Sequence, residues 1–571
     1  MFRRFFLTLI SLTLFCQIIV IPTLFAKELK NVIEGSQNDH GAIASAHPLA
    51  TQAGFAVLAQ GGNAFDAAIA VASTLNVVEP AMSGLGGYGS TLVYIKQSGE
   101  IRFLNSSGKY PSKANADLMR APTPNYLENR KGAKSISTPG NLNAWKAMHQ
   151  QYGKLPWDQL FKGAITYANN GFPLPPYTAK IIANSFDQFS DHAKSIYGKN
   201  GQPLQTGDRL IQKDLAKTYE LIAKKGVDPF YRGEIAVQID KQMKALGSFL
   251  TIEDLKNDKA TWWEPIKINY KGYDVYTIGT PGNGFTALFT LGVMEQFPIT
   301  KLKHNSKEYL HILAEALKKS VYVRLTHAGS PEEKANINNQ ILSNDHFQTV
   351  AKSIDTRKAS AFEIAYDHEG VNTTHFVVVD KWGNIVSSTQ TLGLGFGSKL
   401  MVEGTGIWMN SSMAFATFEP KGNPLDVFPS KYKLSSNSPI IILKDNMPWA
   451  TLGTPGGHTI PQNVAQIILN LVDFKMSMQE AIDAPKLAFI AEKNVICSEI
   501  SGSEIKELEK MGHVIDNQNI ESYVGLNGKI GNAMGVRILR GEKGDEKGTD
   551  RNAILFEVGI DKRKDAWVHN F

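Results

Sequence analysis

The sequence predicts a mixed α/β (α+β) protein in which long helical stretches precede a strand-rich region. Three observations carry that expectation. Residues from about 140 to 335 show mostly helical apolar spacing, residues from about 373 to 460 read mostly as strands, and the 571-residue chain is 43% hydrophobic with no repeat period or low-complexity tract. Length alone suggests three or four domains, but large α/β enzymes often exceed that prior in one fold.

In chain order, the first segment is MFRRFFLTLISLTLFCQIIVIPTLFAKE, where Arg3 and Arg4 precede an apolar run ending at Ala26. A basic start, an apolar core and a small residue before the first charges read as a secretory signal over residues 1–26, which implies a periplasmic or secreted protein. Residues 5–25 are also nearly long enough to span a bilayer, so a retained anchor facing the same compartment is the alternative. Next, LATQAGFAVLAQGGNAFDAAIAVASTLNVVEP has helical spacing broken at Gly61 and Gly62, with Asn63 and Asp66 placed to cap a second helix. Gly84, Gly86 and Gly89 satisfy the GxGxxG pattern but precede a strand instead of a helix. Tight turns and close backbone packing explain them better than a nucleotide site.

The stretches NLNAWKAMHQQYG, LIQKDLAKTYELIAKKG and KEYLHILAEALKKSVYVRL read as helices, with YKGYDVYTIG interrupting as a strand. Residues from about 345 to 372 are polar and read as an irregular, exposed connector. Strands then dominate until the helix QNVAQIILNLVDF, and the tail is strand-rich.

The net charge of +6 is spread thinly, with no basic block or aromatic-basic stripe, which argues against a nucleic-acid partner. The two cysteines are Cys16, inside the signal, and Cys497. The mature chain would therefore hold one thiol, no internal disulfide and too few ligands for a structural zinc site. The histidines are scattered without ligand spacing, and no metal or organic cofactor is called for.

The most informative stretch is VNTTHFVVVDKWGNIVSSTQT, residues 371–391. Two strand-like runs flank Lys381-Trp382-Gly383, and a three-residue hairpin loop favours glycine at its third, left-handed position. That register pairs Asp380 with Asn384 and, counted outward, sets Thr373 opposite Thr391 with Cβ atoms roughly 5 Å apart. Cross-strand threonine pairs are common in ordinary sheets, so spacing alone does not make this pair catalytic. His375, two residues on, reads as structural.

TTHFVVVDKWGNIVSSTQTL resembles the start of the small subunit in the gamma-glutamyltransferase (glutathione hydrolase) family. GGNAFDAAIAVASTLNVVEPAMSGLGGYG, YGKLPWDQLFKGAITYANNGFPL, QKDLAKTYELIAKKGVDPFYRGEIA and HILAEALKKS are similar to that family's large subunit. LSSNSPIIIL and GTPGGHTIPQNVAQIILN match its later small-subunit motifs, in the same order. The resemblance implies the four-layer αββα sandwich of N-terminal-nucleophile hydrolases, made as a precursor that cuts itself between Asn372 and Thr373. The pieces would be a large subunit, residues 27–372, and a small subunit, residues 373–571, which stay together.

The chemistry explains why such a precursor must be cut. A hydroxyl is a weak nucleophile until a base takes its proton. Scission frees an α-amine on Thr373 with a reference pKa near ~8, and that amine can serve as the base. By the same resemblance Thr391 orients Thr373, and the backbone N–H groups of Gly456 and Gly457 receive the oxyanion. Ser435 and Ser436 bind a substrate carboxylate. Taken alone, Pro455-Gly456-Gly457 is an ordinary turn, and Ser-Ser before an apolar strand means little. The implied partner is a small-molecule γ-glutamyl compound or related acyl amide, with no stable membrane partner.

Departures fall on substrate recognition. The position of the family's carboxylate-binding arginine falls on Ser107, with Lys109 nearby as a point charge lacking the bidentate fork. The asparagine that follows the family's Thr-Leu is Gly393 here. The polar and acidic positions that would hold a substrate ammonium are Ser412 and Phe415, and the 419–433 loop is short for a lid. These departures open two alternatives: an acylase of the same frame with cephalosporin-acylase-like specificity, or an inactive secreted binding protein.

Overall fold

The computed structural model describes residues 37–38, 41–327, 337–363, 372–433, 435–520, 530–540 and 554–561. The expected signal and most of the second half of the polar connector lie outside these residues. No helix among the described residues is long and apolar enough to cross a membrane.

Helix boundaries follow local chemistry. Pro48–Ala59 stops before Gly61-Gly62, and Ala64–Val78 begins at Asn63, whose side chain accepts the Phe65 and Asp66 N–H groups. The Asp66 carboxylate answers by accepting the Asn63 N–H, closing a capping box of the kind worth about 1 kcal/mol. Every residue of Ala64–Val78 is buried. Its small side chains let it lie flat between a sheet and other helices.

Two antiparallel sheets form the centre. The first runs, edge to edge, Gln37–Asn38, Gly41–Ser45, Asn372–Asp380, Ile385–Gly393, Tyr88–Ile95, Glu100–Ser106 and Thr261–Trp263. The second runs Ile266–Tyr270, Tyr273–Thr277, Ile440–Lys444, Met447–Gly453, Met534–Arg540 and Ile554–Ile560. Strand alternation sorts side chains into three apolar layers. Phe376, Val378 and Val386 face outward onto the helices that include Ala64–Val78. Val377, Val379 and Ile385 face inward and meet Ile441, Leu443, Val536 and Ile538 of the second sheet. The outer face of that sheet, with Val275, Ile440 and Leu452, is covered by the helices Gly284–Glu295, Lys307–His327 and Ile460–Val472. The order is therefore helix, sheet, sheet, helix, the expected αββα sandwich.

The polar glycine-rich stretch behaves as expected. A side chain at Gly86 would strike the Trp408 carbonyl, and one at Gly89 would lie 2.6 Å from the Thr389 carbonyl, so both are close-approach positions before the Tyr88–Ile95 strand continues.

Two expectations need correction. YKGYDVYTIG is not one strand but parts of two, Ile266–Tyr270 and Tyr273–Thr277, reversing at Lys271-Gly272 where both φ angles are positive. The connector is not wholly irregular, because Asn344–Lys352 is a helix capped by Ser343 with Phe347 and Ala351 buried. Its apolar residues recur at helical spacing among polar ones, and Phe347 packs its ring against Gly292 of the neighbouring helix.

Candidate active site

The hairpin forms as its turn chemistry dictates. Gly383 has φ +93°, and its N–H donates to the Asp380 carbonyl at 2.9 Å. Partners from Thr374↔Gln390 to Val379↔Ile385 keep the expected register. At the open end it shifts by one, so that Asn372 pairs with Gly393 and Thr373 faces two residues, Thr391 and Leu392, across a bulge of the partner strand. Thr373 is therefore not a ladder partner of Thr391 as simple counting required. The bulge re-aims its side chain, and the two hydroxyls still meet.

Their geometry is specific. Thr373 Oγ1 donates to Thr391 Oγ1 at 3.2 Å, and Thr391 Oγ1 donates to the Asn372 carbonyl oxygen at 2.6 Å. The Gly393 N–H donates to the same Thr391 oxygen at 2.8 Å, fixing the hydroxyl from a third side. One buried threonine thus touches both the Thr373 hydroxyl and the carbonyl of the peptide bond immediately before that residue.

Of the neighbouring side chains, Thr374 points to the helical layer and His375 to the second sheet. Thr374 Oγ1 donates to Glu79 Oε2 at 2.8 Å, tying the strand to the C-terminus of the Ala64–Val78 helix. His375 is fully buried, with Nδ1 2.8 Å from Thr389 Oγ1 and its ring against the Gly453 backbone of the second sheet. Burial lowers its pKa to about 3, so it is a neutral spacer between the sheets. The strand ending at Gly453 leads directly to Gly456 and Gly457, both at positive φ, where the turn opens onto the Ile460–Val472 helix.

A second group of candidates converges through loop pairing. Lys109 bridges to Tyr432, and the Tyr110 N–H donates to the Lys431 carbonyl, so residues 109–110 run beside 430–432. Ser435 accepts the Asn283 N–H on its carbonyl, and Ser436 Oγ lies 3.5 Å from Asn283 Nδ2. Ser107 is buried with its N–H and hydroxyl both donated to Asn105 Oδ1, whereas Lys109 is exposed with its ammonium 5.0 Å from the Tyr432 ring. Arg120, paired with the buried Asp426, fastens the 419–433 loop to the body. Ser412 is committed elsewhere, donating to Ser137 Oγ at 2.8 Å beside Asn410.

Phe415 does reach the surroundings of the Thr373–Thr391 pair. A Cβ added to Gly393 would stand 2.8 Å from Phe415 Cε2 and 2.8 Å from Ser411 Oγ.

Sequence reasoning missed Lys433. Its side chain is 1% exposed, and its ammonium lies 2.9 Å from the centre of the Tyr88 ring. Nothing in KYKLSS distinguishes the buried Lys433 from the exposed Lys431 two residues earlier. Asp258 is also buried, its carboxyl pushed up to about 7 by burial against the opposing pull of the Asn143 amide and the Lys109 and Lys433 charges.

A family model described as Gamma-glutamyltranspeptidase matches residues 50–541. The chain belongs to the gamma-glutamyltranspeptidase family. It is 32% identical over 552 residues to a glutathione hydrolase proenzyme of Bacillus subtilis (strain 168), covering 92% of each chain. It is 32% identical over 467 residues to the acylase ACY 1 proenzyme of Pseudomonas sp. (strain SE83), covering 79% of this chain and 83% of that one. The cephalosporin acylase structure from Bacillus halodurans superposes with TM-score 0.80 at 28% identity, over 92% of this chain and 95% of that one.

The family assignment makes the chain an enzyme. Its hydroxyl pair lies on the first central sheet and its glycine turn follows a strand of the second, whereas the departures noted from the sequence, apart from Gly393 at a strand end, fall outside the central strands.

Proposed function

We propose that the chain is an exported precursor that cuts itself between Asn372 and Thr373. It then cleaves γ-glutamyl-type amides through an acyl-threonine intermediate, passing the acyl group to water or an amine. The observation that carries this reading is the double contact of Thr391, 3.2 Å from Thr373 Oγ1 and 2.6 Å from the Asn372 carbonyl oxygen.

That contact supports a balanced first step. Thr373 Oγ1 bonds to the Asn372 carbonyl carbon while its proton moves to Thr391 Oγ1, which gives its own proton to the carbonyl oxygen. Collapse breaks the carbon–nitrogen bond as the proton on the former carbonyl oxygen passes to the departing nitrogen, which becomes a primary amine, and Asn372 is left as an ester on Thr373. Water hydrolyses the ester, leaving a carboxylate on Asn372 and a free amine and hydroxyl on Thr373. In turnover the neutral amine accepts the hydroxyl proton as Thr373 attacks the donor, and returns it to the departing amine. Gly456 and Gly457 N–H groups would hold the developing oxyanion.

A second reading, an acylase taking acyl groups other than γ-glutamyl, is favoured by Phe415 standing over Gly393 where an ammonium would need an acidic partner. Mass analysis of the purified protein tests the common core. Two pieces, one beginning at Thr373 and the other near Lys27, are expected; a single uncut and inactive chain would reject it. Turnover of γ-glutamyl-p-nitroanilide against glutaryl-p-nitroanilide separates the two readings.

A further inference from the structure

The Lys433 ammonium is buried to 1% and has no hydrogen-bond partner among the described residues. A buried charge left without hydrogen bonds is costly, and native folds keep few of them without a use. Its surroundings suggest the use. The ammonium lies on the ring of Tyr88, 2.9 Å from the ring centre, and Tyr88 is the direct strand partner of Thr391. Directly opposed residues project to the same face of a sheet, so the cation and the Thr391 hydroxyl share one face, one side chain apart. Lys433 is two residues before Ser435 and adjoins the Lys109–Tyr432 bridge, two residues on from Ser107. Ser107 is neutral and spends its hydroxyl on Asn105, and the Lys109 ammonium is outside on Tyr432. Lys433 is the cation that the fold carries inward.

We propose that Lys433 binds the free carboxylate of the acyl donor and so selects acyl groups that end in a carboxylate. This rests on the amide-cleaving reading above and names the recognition element of the same site. A single ammonium on an aromatic floor holds one carboxylate oxygen or two, without the fork geometry of an arginine. With Phe415 over Gly393 instead of an acidic group, a donor bearing only the carboxylate, such as a glutaryl amide, satisfies this site as fully as a γ-glutamyl amide. Burial pulls the Lys433 pKa well below its ordinary value and the nearby Asp258 carboxyl opposes that pull, so an incoming carboxylate would favour the charged ammonium and supply the partner that it lacks.

The test compares wild type, Lys433→Met and Lys433→Arg with glutaryl-, γ-glutamyl- and butyryl-p-nitroanilide. Methionine keeps the volume and removes the charge, and conversion to two pieces reports that each variant has folded. The ratio of kcat/KM for glutaryl over butyryl amide is expected to fall at least ~30-fold in Lys433→Met, mainly through KM, and to recover partly in Lys433→Arg. Calorimetric titration with glutarate gives the same comparison without turnover, with binding ~30-fold weaker in the methionine variant. Equal losses on all three donors, or unchanged glutarate binding, would overturn the proposal. Failure of wild type to cut itself or to cleave any amide would instead reject the function proposed above, and the titration would still decide the role of Lys433.

Discussion

The Phe415 ring and the Cα of Gly393 are in direct apposition: any side chain at 393 would meet Phe415 Cε2 at 2.8 Å. Gly393 also has φ +97°, a conformation that favours glycine. Two departures that look independent in the sequence, at 393 and at 415, are thus one packing event beside the Thr373–Thr391 pair. Phe415→Asp is expected to shift kcat/KM toward γ-glutamyl-p-nitroanilide relative to the glutaryl amide by about tenfold, or 1.4 kcal/mol. Gly393→Ala should lower stability by about 1–3 kcal/mol through strain and collision, read as a reduced melting temperature.

Maturation should depend on Thr391 quantitatively. Removing one donor to a developing oxyanion costs about 3 kcal/mol, so Thr391→Ala should slow self-cutting by roughly 10²-fold or more. Thr391→Ser keeps the hydroxyl and should cut within about tenfold of the native rate. Time-resolved denaturing gels of freshly expressed precursor give both numbers. Rapid cutting by the alanine variant would remove Thr391 from the reaction.

Thr373 has no substitute in either step. Thr373→Ala should yield an uncut chain with no measurable amide turnover, whereas Thr373→Ser should still cut, more slowly. Activity of the mature enzyme should rise with pH as the new α-amine loses its proton, around its reference value of ~8. A pH profile that stays flat through that range would point to a different base.

Acid stability should be governed partly by His47 and His375. Burial lowers both to about 3 from an ordinary value of 6.5. The folded state holds them neutral, so the unfolded chain takes up their protons first. The stability they permit is complete above about pH 6.5 and is lost as pH falls toward 3, at about 1.4 kcal/mol per pH unit for each. Denaturant midpoints measured from pH 7 to 4 should therefore drop steeply, and His375→Gln should flatten the slope.

The cut enzyme should behave as one body. Both sheets join strands from before and after residue 372: the hairpin lies between Gly41–Ser45 and Tyr88–Ile95, and Tyr273–Thr277 pairs with Ile440–Lys444. The two pieces should co-elute in size-exclusion chromatography and melt in a single transition. Separation without denaturant would contradict this sheet sharing.

Much of the architecture is legible in the sequence because local chemistry agrees with the fold. Asn63 and Asp66 announce a helix start, and Gly383 announces the hairpin that sets the Thr373–Thr391 encounter. What is not legible depends on distant contacts. The bulge opposite Thr373 arises at the end of the ladder, where no turn residue signals it. The Asn344–Lys352 helix is masked by polar composition, although Phe347 and Ala351 mark its buried stripe. Lys433 carries no local sign of burial at all; only the apposition of residues 109–110 with 430–432 turns it inward.

Chain ends are ordinarily the loosest part of a protein, fraying because hydrogen bonds reach them from one side only. Here scission would create a terminus within three residues of the point where its strand is paired on both flanks, with Thr373 held to Thr391 and Thr374 to Glu79. The newborn end would emerge already immobilised, so little of the entropy of orienting it would remain to be lost when a donor arrives.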